Sequence, residues 1–255
     1  MRKGKISGLV LALMLCAAFA GAQNNVPNIL DNTYVKENTA YRRVIPYASL
    51  READVIWSKR IWRILDLREK MNLPLYYPVT PNANRKSLWN IIVSAVKGGE
   101  LTLYSADAFP LDRDKSFVIP LTKSETDTAL LKIETIVDST GSNKLTSTEF
   151  SSEDISSYCL KEDWFFDKQR SVMDVRILGL CPMKEKADPS TGEIIGYSPL
   201  FWVYFPQCRP VFARAEVYNT KNDAERRSLD DIFWKRMFAS YIHKESNVFD
   251  RVVAN

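Results

Sequence analysis

Apolar residues recur along the chain in two rhythms, and the longest stretch of the helical one covers residues 49–72. Placed at about 100° per residue, Ala53, Ile56, Trp57, Ile61, Ile64, Leu67 and Met71 share one broad stripe, as a core-facing helix requires. Ser49 and Glu52 have the S-x-x-E spacing of a capping box, and Pro46 bars an earlier start. The pattern predicts one long N-terminal helix. Two kinds of residue do not fit its stripe: Val55 and Trp62 lie opposite it, and Arg60 and Arg68 lie inside it.

Further along, residues 84–96 repeat the helical rhythm through Leu88, Trp89, Ile92, Val93 and Val96, and Gly98 with Gly99 supplies the left-handed stop. Strands are predicted at 101–104, 117–121 and 131–137, with a short helix at 122–129. Residues 138–148 are polar and aperiodic, which suits a long surface loop or a boundary between lobes at 49–137 and 149–255. A short helix at 151–158 precedes the aromatic run Trp164, Phe165, Phe166. Residues 172–181 then alternate, with Met173, Val175, Ile177 and Cys181 on one side and Asp174 and Arg176 on the other. Asp188 to Gly192 marks a turn by its proline and glycine chemistry. Residues 200–205, apolar on both faces, read as a central strand, and 211–218 as its neighbour. From Ser228 a last helix is expected through FWKRMFASYIHK, with Asp230 and Asp231 favouring its positive end. Its apolar residues occupy nearly the whole circumference, which implies burial on more than one side. The expected fold is α+β: an antiparallel meander in the C-terminal half, packed with a long N-terminal helix and a C-terminal helix.

The N-terminus changes the setting. Arg2, Lys3 and Lys5 precede an apolar run from Ile6 to about Ala20, then Ala20-Gly21-Ala22, the order of a cleavable secretory signal over residues 1–22. The run is short for a membrane span, and no later stretch has the roughly 20 apolar residues a span needs. Leu15 before Cys16 is too large for a lipoprotein site. Removing the signal takes three basic residues and no acidic one, so the net charge of +4 becomes +1. Nucleic acid or an anionic surface is then a poor main partner. Residues 23–48, rich in Asn and without period, read as an extended arm whose anchors would be Tyr34, Tyr41, Ile45 and Tyr47. Cys159, Cys181 and Cys208 remain, enough for at most one internal disulfide. If 172–181 and 200–205 are paired strands, Cys181 and Cys208 sit at opposite ends of them, and Cys159 is the better member of any bridge.

Catalytic chemistry is thin. The single His243 excludes a His-rich metal site, and it reads as a helix-end residue rather than a general base. Asp163 with Asp167 and Asp230 with Asp231 are the visible carboxylate pairs, one flanking the aromatic run and the other explained by a helix start. No phosphate-cradling glycine loop, CxxC or calcium loop is present. No catalytic, cofactor-binding or metal-ligating residue is nominated. Tryptophan, tyrosine and arginine dominate binding hot spots, and they are concentrated in the first and last predicted helices. Val55, Arg60, Trp62, Trp234, Arg236, Phe238 and Tyr241 are accordingly the candidate interface residues. Two other classes stay open: an exported hydrolase, needing two carboxylates about 5 to 9 Å apart in a cleft, and a binding or chaperone module, needing a deep apolar pocket.

Three separated segments then carry a resemblance: VIWSKRIWRILDLREKMNLPLYYP, DPSTGEIIGYSPLFWVYFPQCRPVF and RRSLDDIFWKRMFASYIHKESNVFDR. Together, from about Arg42 to the C-terminus, they resemble the GldN/PorN family of gliding-motility and type IX secretion proteins. The resemblance implies a non-catalytic periplasmic subunit without cofactors. It implies a ring formed with an outer-membrane lipoprotein of the GldK/PorK type, and a contact with the periplasmic part of a GldM/PorM-type inner-membrane motor. It brings no assigned residue roles with it.

Overall fold

The computed structural model describes residues 42–82, 85–106, 117–137, 143–188, 191–219, 222, 225–248 and 252–253. The expected signal, most of the expected arm, and its candidate anchors Tyr34 and Tyr41 lie outside the described residues.

The stretch expected to be the long helix is a strand, β1 (Val55–Asp66), preceded by a 3-10 turn (Glu52–Asp54) without a side-chain cap. The cause lies in the spacing. Ile61, Trp62, Ile64 and Leu65 fall at i, i+1, i+3 and i+4, which fits a helical stripe but equally fits a strand buried on both faces. All four are buried, with Ile61 and Leu65 directed one way and Trp62 and Ile64 the other. Val55, Ile56, Ile61 and Ile64 are β-branched and favour the pleated chain.

β1 pairs along its length with β5 (Ser157–Asp167), from Val55 opposite Asp167 to Asp66 opposite Ser157. On β5's far side lies β6 (Val172–Ala187). Four shorter strands complete an antiparallel sheet of seven: β2 (Leu103–Tyr104), β7 (Ile194–Pro199), β8 (Trp202–Tyr204) and β11 (Tyr241–Glu245). The order is β11-β1-β5-β6-β8-β2, with β7 also on β6. β3 (Leu131–Val137) pairs with β4 (Asn143–Glu149), so the second half of the polar stretch is strand rather than loop. β1, before that stretch, and β5, after it, are hydrogen-bonded neighbours. A last small pair joins β9 (Glu216–Val217) and β10 (Arg227–Ser228).

The described helices are α1 (Leu73–Tyr76), α2 (Leu88–Lys97), α3 (Lys123–Ala129), α4 (Phe205–Arg214) and α5 (Leu229–Trp234). α2 starts on Ser87, whose hydroxyl accepts from the Asn90 amide, and turns off at Gly99 with φ 73°. α4 replaces the expected end of one strand and the first half of the next: Pro206 is tolerated in its first turn, and Phe205, Cys208 and Phe212 form its buried face. Cys208 therefore lies on a helix, not after a strand. Cys159 and Cys181 face each other across β5 and β6, and all three thiols are free and buried.

The expected C-terminal helix is also corrected. Ser228 and Asp231 do form a capping box, but α5 stops at Trp234, and the chain turns through Arg236, at φ 53°, before entering β11. The all-round apolarity read as one helix is shared between a helix and a strand. α2, α4 and α5 cover one face of the sheet in a core containing Leu65, Tyr158, Leu160, Leu180, Phe212 and Phe233. Trp62, Ile64, Cys159, Cys181, Met183 and Trp202 form a second cluster, and strand alternation puts them on the opposite face. Gly179 permits this second layer, because a Cβ there would sit 2.3 Å from the Phe117 ring.

Candidate protein interface

The long strands outrun their neighbours. β11 pairs with β1 from Ile61 to Ile64, and β8 pairs with β6 only at Gly179 and Leu180. The beginning of β1, the end of β5 and the beginning of β6 therefore project as a three-stranded tongue. Register places Trp57, Phe166 and Met173 in one cross-strand row, with Lys59, Trp164 and Val175 in the next row on the same face. Trp57 is 45% exposed, Met173 54% and Ile56, beside the bulge, 65%. A contiguous row of this kind is unusual on a free surface and typical of a contact.

Beside the row lies a cleft of about 640 Å³ with Met173 and Val175 on one wall and Phe233, Trp234 and Arg236 on another. Its third wall is a strap, residues 42–50, without regular secondary structure. The strap is tied by arginines: Arg209 donates to the Ile45 carbonyl at 2.8 Å, and Arg176 to the Ala48 carbonyl at 2.6 Å. Tyr47 stacks on Trp234 with ring centroids 5.0 Å apart, and the Arg209 guanidinium lies 4.4 Å from the Tyr47 ring centre and 4.8 Å from that of Trp234. Arg209 is itself buried and bidentate to Asp230, at 2.9 and 3.1 Å. Burial pushes the Tyr47 hydroxyl pKa up, with Arg209 pulling against it. At the strap's start Arg42 pairs with Asp231 at 3.0 Å.

The sequence-nominated residues divide. Trp234 and Arg236 line the cleft. Arg236 also grips the fully buried Glu162 carboxylate at 2.8 and 3.1 Å and lies over Phe238. Phe238 itself is in the core. Val55 begins the tongue, half-buried, and Arg60 crosses it in a bidentate pair with Asp163 at 2.8 and 3.1 Å. Trp62 sits in the opposite layer at 8% exposure, with the Lys161 and Lys244 ammoniums 5.8 and 5.1 Å from its ring centre. Its nomination rested on a helix that the chain does not form. Tyr241 is exposed on β11, near Arg68 and Tyr197 rather than the cleft. Phe166, Met173, Arg176 and Arg209 were not nominated. For Phe166, Met173 and Arg176 the signal is positional, at strand ends whose partners' lengths a sequence does not show, and Arg209 lies on α4, where the sequence predicts no helix.

The visible carboxylate pairs are engaged structurally. Asp163 holds Arg60, Asp167 holds Arg170 and two turn amides, Asp230 holds Arg209, and Asp231 caps α5.

A family model described as gliding motility associated protein GldN matches residues 50–255. The chain belongs to this family. Membership makes this GldN-family chain a component of gliding-motility and type IX secretion machinery, a structural family and not a known enzyme family. No curated protein matches it. The GldN match takes in the whole sheet and the β6 and α5 walls of the cleft, and the strap lies before it except for its last residue, residue 50. No helix among the described residues is long and apolar enough to cross a membrane.

Proposed function

We propose that the chain is a non-catalytic, periplasmic structural subunit of the type IX secretion and gliding apparatus. In this reading it is exported by a cleaved signal and held at the outer membrane by a GldK/PorK-type lipoprotein. The two build a ring that contacts the periplasmic part of a GldM/PorM-type motor. The observation that supports this beyond family membership is the three-stranded tongue, whose row of exposed Trp57, half-buried Phe166 and exposed Met173 adjoins a cleft walled by Trp234 and Arg236. Aromatic and arginine side chains around a desolvated centre are what a protein contact is built from.

The test is size-exclusion chromatography of the purified chain with the lipoprotein partner, both at micromolar concentration. Co-elution in one large species is expected. Clean separation of the two proteins would overturn the assembly role.

A further inference from the structure

The tongue offers backbone as well as side chains. From Val172 to Ile177, β6 pairs with β5 on one side. On its other side β8 and β7 join only from Gly179 onward, and among the described residues no strand continues that line. An open edge of this length is a template for another strand unless it is guarded. The guard here is partial: the Val175 amide donates to the Asp174 carboxylate at 2.8 Å, and Arg170 holds that carboxylate at 2.9 Å.

The side chains along the edge alternate in purpose. Met173, Val175 and Ile177 border the cleft, so an added strand would find apolar floor for every second residue. Between them, Arg176 carries an uncompensated charge. Its register partner Asp163 is taken by Arg60, and Asp174 by Arg170. Among the described residues no carboxylate lies within ion-pair distance of Arg176. It donates through Nη2 to the Ala48 carbonyl of the strap and is packed against the Tyr47 and Phe165 rings, while its buried Nε has no acceptor. A buried or half-buried guanidinium of this kind is costly until an anion meets it.

We propose that the Val172–Ile177 edge of β6 is a strand-addition site. Its occupant is an extended segment of a partner protein with apolar residues directed into the cleft and a carboxylate between them that meets Arg176. The site deepens the assembly role proposed above and rests on it. Backbone pairing supplies affinity, the cleft selects the apolar residues, and Arg176 fixes the register.

Amide hydrogen exchange of the full chain, alone and in the assembly reconstituted with the lipoprotein partner, tests this. The amides of Met173 and Val175, which strand alternation turns away from β5, should exchange at least about 10-fold more slowly in the assembly. Arg176→Glu should weaken assembly at least about 10-fold in a chain that keeps a single cooperative unfolding transition. If that variant fails to fold, Arg176→Gln takes its place, with a smaller loss expected, and the exchange measurement needs no variant. An assembly that forms while these amides exchange as fast as in the free chain overturns strand addition and leaves the assembly role standing. Protection of those same outward amides already in the free chain overturns the proposal too: loss of it on dilution identifies a second copy as occupant, and loss of it on deleting residues 23–41 identifies the chain's own arm. Failure of any assembly to form overturns both readings.

Discussion

The two ends of β1, β5 and β6 share strands, register and residue types, yet one end is core and the other is surface. At the Asp66, Ser157 and Met183 end, β11, β7 and β8 flank the three strands, and apolar layers cover both faces. At the Val55, Asp167 and Val172 end nothing described flanks them but the strap. Trp62 and Trp57 show the contrast: five residues apart on one strand, the first is buried between two lysines and the second stands in solvent. Their difference comes from the length of the neighbouring strands rather than from either side chain. A chain under pressure only to fold would have shortened the tongue or made it polar. Leaving about half of an indole in water forgoes stabilisation of order 1–2 kcal/mol at about 25 cal/mol per Å², and a bound partner returns it.

That contrast can be broken most directly at the closed end. Trp62→Ala should cost about 3–5 kcal/mol, because it removes a buried indole and leaves two buried lysines without their aromatic face. Urea unfolding would measure it, and a loss below 1 kcal/mol would mean that the second layer is not a true core.

Arg209→Ala should cost a comparable or slightly smaller amount, up to about 3–4 kcal/mol, by stranding the Asp230 carboxylate. It should also free the strap, read as loss of the Tyr47–Trp234 stack in near-ultraviolet circular dichroism. Retention of that signal would show that the strap is held by other contacts.

Trp57→Ala should cost about 1–2 kcal/mol, well below Trp62→Ala, since only about half of its indole is buried. A loss as large as that of Trp62→Ala in the isolated chain would show that the tongue is structurally closed.

A smaller effect should come from pH. Burial, and then Lys244, depress the pKa of His243 on β11 below its ordinary value of 6.5. The unfolded chain therefore binds this proton at a higher pH than the folded one, so stability should fall as pH drops through 6.5 and level off below the folded value. The imidazole is half exposed, so the decline should be shallow. His243→Gln should flatten it, and an unchanged slope in that variant would assign the decline to other groups.

Much of this was legible in the sequence where one face of an element is buried and the other is not. α2 with its Ser87 cap and glycine stop, α3 behind Thr122, the start of β6 and the closing of the Gly192 amide on the Asp188 carbonyl all follow from local spacing and residue chemistry. Legibility failed where both faces are buried. In β1 the doublets Ile61-Trp62 and Ile64-Leu65 imitate a helical stripe, because a two-sided strand has no alternation to display. The last segment failed for the complementary reason: one turn of helix, the left-handed Arg236 and a strand were summed as one all-round apolar helix. The interface was half legible. Aromatic and arginine composition singled out Trp234 and Arg236, but Trp62 was nominated from the wrong period, and the tongue depends on where β8 and β11 end.

The central claim is that the tongue is where the chain meets its partner. Trp57→Glu combined with Met173→Glu places two charges in the exposed row without touching either core, and size-exclusion chromatography with the lipoprotein partner reads the consequence. The account predicts a single cooperative unfolding transition, at most several degrees below the parent's, and at least about 10-fold weaker co-elution. Co-elution at the parental level by a folded double variant would contradict it and move the contact to another face.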